Sequence, residues 1–406
     1  MPNEVVFYHS GETGAPTLNN AAGSMIAVLD ACLVTGFAST SASAVSVSAG
    51  VATLTINGHP YTTGKMVDVA GAAVSAVNGR KPCTVVDANN IRVPAAGASD
   101  GAVTGTVTVK RSPLGWAKPH SATGKAIYSR TDPAASTMLL RVDDSVAVQH
   151  WARVTAVESA TGVDAFTGPI PTDAQLSGGQ YWWKGNASNT TAKPWVLVGD
   201  SRSIWFLTEP HLLPWSTWSA LGVQAFGDLI SVRAGDAYRA FLLGFPTASA
   251  VSEGLLRVNA GALANTPTSM SLVLARRSNG VGGPVRGVYF APGFVNQRVP
   301  GANSDGAHPA PVYPSPVNNG LVLVAPLPVG ESPSSSGGAS AVRGVFPGMA
   351  APLANVSGAR AELHLTEIDG LIGSSRRYLL VAVGQGSSPG SDSLGVAAFD
   401  LTGPWQ

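Results

Sequence analysis

Short apolar runs constrain this chain most. They are separated by connections rich in Gly, Pro, Ser and Asn, and only one stretch near the start keeps a helical period. Met25, Ile26, Val28, Leu29, Cys32 and Leu33 follow the i, i+3, i+4, i+7 spacing of one buried helix face. A helix of about three turns is expected there, capped by Ser24 and ended by Gly36. Everywhere else the pattern predicts strands. The expected fold is mainly β, with one short helix near the N-terminus.

Between 41 and 111 the texture is that of a small β-barrel or sandwich inserted into a larger body. Val45, Val47, Val51, Thr53 and Thr55 alternate with small residues, and Ala49-Gly50 is placed as a hairpin tip. Val67–Val69, Thr84–Val86, Ile91–Val93 and Thr104–Val109 continue the strand texture. Turn signals punctuate it at Asn57-Gly58, Asn78-Gly79 and Asn89-Asn90. The expected organisation is therefore a body made of 1–40 and 112–406, interrupted by the module 41–111.

In the body, strands are expected at Met138–Val142, Ala152–Val157, Trp195–Val198, Ile204–Leu207, Ala240–Leu243, Met270–Leu274, Val288–Phe290, Leu321–Val324, Ala361–Leu365 and Tyr378–Val383. Ser177–Thr191 and Ser332–Ser340 are expected as loops. No repeat recurs at a fixed period, so the body is open to two architectures, a sandwich with long loops or radially arranged propeller-like units.

Charged residues make up 12% of the 406 and the net charge is +1. That excludes a polyelectrolyte tail or a clamp that binds nucleic acid by counterion release. No apolar run is long enough for a membrane-spanning helix, and the start Met1-Pro2-Asn3-Glu4 lacks the pattern of a secretory signal. No lysine follows Lys193, and arginine carries the positive charge at 12 positions from Arg202 to Arg377. Arginine suits buried and interfacial ion pairs better than lysine does. One reading is a surface covered by neighbouring subunits; a GC-rich coding bias gives the same composition.

Several constellations invite chemistry. Gly199-Asp200-Ser201 resembles the first block of the Gly-Asp-Ser lipases and esterases, and Asp305-Gly306-Ala307-His308 their Asp-x-x-His block. That likeness would make Ser201 the nucleophile, His308 its base and Asp305 the orienting acid. Against it, the run Ile204–Leu207 continues as a strand where that family has a helix. Asp143-Asp144 ends a strand and reads either as a metal or acid–base pair or as a turn whose carboxylates bind backbone N–H groups. Eight of the nine tryptophans lie between Trp116 and Trp218 and are open to three readings: core, protein interface or sugar platform. Cys32 and Cys83 and the seven scattered histidines have no metal spacing. The expectation is a chain without catalytic, cofactor-binding or metal-binding residues.

The segments Phe7-Tyr8-His9-Ser10-Gly11, Gly14-Ala15-Pro16, Ala22-Gly23-Ser24 and Val28–Phe37 resemble the start of virion structural proteins of tailed bacteriophages. Lys193–Asp200 and Ala225–Asp228 extend that resemblance over about the first 240 residues. The inserted module resembles a small β-element of phage tail proteins, similar to the first-catalytic-cysteine-half element of ubiquitin-activating enzymes. His59–Val69, Val77-Asn78-Gly79, Asp87-Ala88-Asn89 and Gly105–Val109 carry that likeness. It implies a structural module with no ubiquitin chemistry.

The resemblance implies a structural component of a phage tail, found in the virion and, during assembly, in the host cytoplasm. It would form a homo-oligomeric ring of nozzle or tail-tube type, such as a hexamer, with portal, adaptor or other tail proteins as neighbours. Tail fibres could attach to it, and DNA would be passing cargo. The alternative is a peripheral virion binding module: a fibre-anchoring, decoration or receptor-binding protein.

Overall fold

Strands that are apolar at every position need cover on both faces, and they form the centre of the molecule. The computed structural model describes residues 4–185, 189–209, 221–248, 270–277, 279–289, 313–332, 341–352, 360–370, 375–384 and 394–405. Trp195–Gly199, Ile204–Thr208, Gly222–Asp228 and Ala240–Leu243 are buried throughout. They belong to a ten-stranded antiparallel sheet that starts at Val6–His9 and continues past Ala240–Leu243 through Leu272–Leu274, Val285–Tyr289, Pro328–Ser332 and Ala341–Val345. Its last strand, Ile230–Ser231, directly follows Gly222–Asp228 in the chain and pairs with Ala341–Val345, so the sheet curls back on itself.

Alternate residues of these strands feed two different cores. Leu197, Ile204, Phe206, Phe226 and Leu242 pack with the N-terminal helix and with a five-stranded sheet, Ala117–Ala122, Lys125–Ser129, Leu139–Asp143, Trp151–Val157 and Gln180–Trp183. Val196, Val198, Trp205, Leu207 and Phe241 face the second core. That core is shared with a C-terminal sheet of Leu323–Val324, Met349–Pro352, Leu394–Asp400, Arg377–Gly384 and Thr366–Asp369. The body is thus mainly β and layered around the curled sheet, rather than divided into radial units.

Residues 37–111 make two sheets around a separate apolar core. One holds Phe37–Ser41, Thr108–Arg111, Met66–Ala70 and Gly79–Pro82; the other holds Thr84–Asp87, Asn90–Pro94, Val51–Thr55, Ala44–Ser48 and Gly101–Ala102. Here the strands alternate cleanly, Val45, Val47, Ala52, Leu54, Ile91 and Val93 inward and their neighbours outward. The hairpin at Ala49-Gly50 is present, with φ of 50° and 74°, the left-handed pair that a two-residue hairpin loop needs.

Five local expectations change. The N-terminal helix spans Ser24–Leu29 and then widens into a π-helical turn, Asp30–Thr35, closed by Gly36 N–H to the Ala31 carbonyl at 2.9 Å. Ser24 does not cap it: Gly23 is the N-cap, and the Ser24 hydroxyl donates to the Asn19 carbonyl instead. Gly36 does end it, at φ 74°, where a Cβ would collide with the Arg111 carbonyl. Ala361–Leu365 is not a strand; Arg360–Leu363 is a helical turn ahead of the strand Thr366–Asp369. The loop expected over Ser177–Thr191 contains the strand Gln180–Trp183, and Thr104–Thr106 lies outside the strand that begins at Thr108. Residues 333–340 lie outside the described residues.

Candidate functional site

Gly199-Asp200-Ser201 sits on a β-hairpin turn. Trp195–Gly199 pairs with Ile204–Thr208, and the Asp200 N–H donates to the Ser203 carbonyl at 3.0 Å. The Asp200 carboxylate accepts the N–H groups of Arg202 and Ser203, each at 2.8 Å. Burial nevertheless pushes its carboxyl up to about 6. The Ser201 hydroxyl donates to Asp132 Oδ2 at 2.7 Å, an oxygen that also takes Arg202 Nε at 2.7 Å. No helix follows the serine and its described partner is an acid, not an imidazole. Asp305 and His308 lie outside the described residues.

The Asp143-Asp144 pair divides its labour. Asp143 Oδ1 accepts from the Ser145 N–H and hydroxyl, the turn arrangement weighed from sequence. Asp144 does more. It is fully buried against Lys184, Oδ1 to Nζ 2.5 Å, and its Oδ2 accepts the Met25 N–H at 2.9 Å. A carboxylate from a distant strand thus satisfies a free donor at the start of the N-terminal helix. Burial raises the Asp144 carboxyl; the Lys184 ammonium and the helix N–H pull it back.

The same device recurs. Asp228, fully buried, accepts Arg130 Nη1 at 2.7 Å, Arg239 Nε at 3.0 Å and the Ser136 N–H and hydroxyl. Burial alone would raise its carboxyl, but Arg130, Ser136 and Arg239 outweigh it and hold it below the usual range. Arg343 pairs with Asp236 at 2.8 Å, both almost without solvent contact. Sequence reasoning missed these partners, because each joins residues far apart in the chain.

Most of the described tryptophans are core, with Trp151 half-buried. Trp116, Trp182, Trp183, Trp195 and Trp205 are buried, and no described tryptophan is exposed. Indole N–H groups reach carbonyls of Asp200, Leu243, Pro16 and Pro347 at 3.0–3.1 Å. Trp215 and Trp218 lie outside the described residues. Cys32 and Cys83 are buried free thiols. Among the described residues no three His, Cys, Asp or Glu side chains converge as a metal site, and no helix is long and apolar enough to cross a membrane.

The module 37–111 meets the body at Arg111. Its buried guanidinium donates to the carbonyls of Met66 (2.8 Å) and Phe7 (2.7 Å) and to Glu12 (2.7 Å). Tyr8 donates to the Ser112 carbonyl at 2.6 Å, and Lys65 lies 3.0 Å above the Phe7 ring. One residue therefore ties the module's last strand, its strand Met66–Ala70 and the first strand of the large sheet together.

An apolar groove of about 420 Å³ opens to solvent between the curled sheet and the C-terminal sheet. Phe346, Met349 and Trp405 line its depth; Ile230, Pro326, Val345, Tyr378 and Pro404 form its walls. The Arg376–Asp400 ion pair lies on its margin. Val232 and Val342, next to the same strand pair, are 68% and 51% exposed. An apolar groove of this kind is suited to protein contact.

No family model matches the chain, and a search of curated proteins finds no match either.

Proposed function

We propose that this chain is a structural component of a bacteriophage tail that assembles as a homo-oligomeric ring of nozzle or tail-tube type. Located in the virion, it would extend the conduit for DNA ejection and anchor other tail parts. The observation that carries the assembly reading is the apolar groove with its exposed neighbours Ile230, Val232 and Val342. Apolar strand positions left open at the end of a curled sheet gain free energy when a second copy covers them, at roughly 25 cal/mol per Å². The low charge and the absence of lysine beyond Lys193 support the same reading, since interfaces disfavour lysine. The tail assignment itself rests on the sequence resemblance.

Mass photometry of the purified full chain tests it. A discrete oligomer is expected, converted to monomer by Ile230→Asp, with portal, adaptor or fibre proteins recruited by the oligomer. A strictly monomeric chain that binds no tail protein contradicts the reading.

The second reading, a peripheral binding module on the virion, draws on the open outer face of the module 37–111, described next.

A further inference from the structure

The five-stranded sheet of the module buries one face in its own core and leaves the other to solvent. On the open face lies a concavity of about 490 Å³, formed by Ser48, Gly50, Val51, Thr53, Thr84, Arg92, Val93 and Pro94. Its chemistry is uneven in a useful way. Arg92 is the one charged side chain in the lining, and no carboxylate lines it. The strand register places Arg92 between Thr84 on one side and Thr53 on the other, with Ser46 next beyond. Across the same face Ser48, Val51 and Pro94 form a second row.

Arg92 is exposed and makes no ion pair or side-chain hydrogen bond among the described residues, in contrast to Arg130, Arg202 and Arg343 of the body. The acids closest along the module are already engaged in turns. Asp87 accepts from Asn89 and Asn90, and Asp100 accepts the Ala49 N–H. A guanidinium with both edges open offers a carboxylate two parallel N–H donors. The flanking threonine hydroxyls donate and accept, as a polyol requires. Val51 and Pro94 present a small apolar area for the C–H face of a ring.

We propose that this concavity binds an acidic saccharide. The sugar carboxylate would sit on Arg92, ring hydroxyls on Thr53, Thr84 and Ser48, and the apolar ring face on Val51 and Pro94. The proposal does not depend on ring assembly: a monomer could bind the sugar, and an oligomer could fail to.

The test is titration of the full chain with methyl glucuronide (the carboxylated sugar), methyl glucoside and acetate, followed by NMR or calorimetry. Methyl glucuronide is expected to bind at least tenfold more tightly than either comparator. Arg92→Gln should weaken it by tenfold or more, and Arg92→Lys should recover only part, because an ammonium lacks the planar fork. Thr53→Ala, a second surface variant, should weaken the sugar and leave acetate unchanged. Undetectable glucuronide binding, or binding indifferent to Arg92→Gln in a variant with an unchanged circular-dichroism spectrum, overturns the proposal. So does acetate, or a peptide C-terminus, binding as tightly as the sugar.

Discussion

The module 37–111 and the body around it solve the same problem, a mainly β fold with little charge, by different means. In the module each strand has a dry face and a wet face, and none of its fully buried side chains between 37 and 110 is charged. In the body the central strands are dry on both faces, and charges go inside in pairs: Lys184 with Asp144, Arg130 with Asp228, Arg343 with Asp236. Desolvating an ion pair gains little net stability over a packed apolar pair, but removing one partner is costly. The buried pairs therefore act as positional locks. Asp144 fixes the helix start, and Asp228 gathers Arg130, Ser136 and Arg239 from separate segments. Between 37 and 110 the module relies on sheet alternation with no buried ion pair among the described residues.

The largest expected effect breaks a lock. Asp228→Ala leaves Arg130 buried without its carboxylate and should cost about 3–5 kcal/mol, seen as a large fall in Tm. A loss within 1 kcal/mol, on the order of a surface substitution, would mean that the buried pairs are incidental. Next, Leu54→Ala opens a cavity in the module core and should cost about 2–5 kcal/mol there. Hydrogen exchange should show protection lost over 37–111 and kept in the strands 195–208. Equal loss in both regions would erase the distinction drawn between them.

A smaller effect concerns a buried carboxyl with no buried cation of its own. Burial raises Asp200 to about 6 in the fold, above an unfolded value near 3.9. Between these values the folded chain holds more protons than the unfolded one, so this group makes stability fall as pH rises from about 4 to about 6. Below that window its penalty is absent; above it the penalty is complete. Asp200→Asn keeps an acceptor oxygen for the Arg202 and Ser203 N–H groups. It should therefore raise Tm at pH 8, by about 1–3 kcal/mol in stability, and leave it unchanged at pH 4. A variant equally stabilised at both pH values would refute the burial argument. Smallest is Ala49→Gly, which relieves a left-handed φ of 50° at the hairpin tip and should stabilise the module by about 1 kcal/mol. Chemical denaturation of the module resonances would measure it.

The two regions also differed in how far the sequence disclosed them. The module was legible because one face is wet: Val45, Val47, Val51, Thr53 and Thr55 carry the period-two signal, and Ala49-Gly50 marks the turn. In the body, Gly222–Asp228 and Leu394–Asp400 went unassigned because glycine and polar residues interrupt them, whereas the equally buried Trp195–Val198 and Ile204–Leu207 were legible as unbroken apolar runs. Gln180–Trp183 was hidden in a stretch rich in Gly and polar residues, and its pairing with Trp151–Val157 is a tertiary fact. Ala361–Leu365 read as a strand because the single helical turn Arg360–Leu363 is too short to show a period. Of the candidate chemistry, the strand after Ser201 was readable, and its pairing with Trp195–Gly199 puts the serine on a hairpin turn. The buried ion pairs were not readable, since nothing local joins Asp144 to Lys184 or Asp228 to Arg130. The open face of Arg92 was visible only once the register put it between Thr53 and Thr84.

In the proposed ring, the body's exposed groove is covered by another copy. Electron cryomicroscopy of the purified full chain tests this most directly. Closed rings are expected, with Ile230, Pro326 and Pro404 of each subunit buried against its neighbour. Single copies, or assemblies in which that groove stays open to solvent, would contradict it.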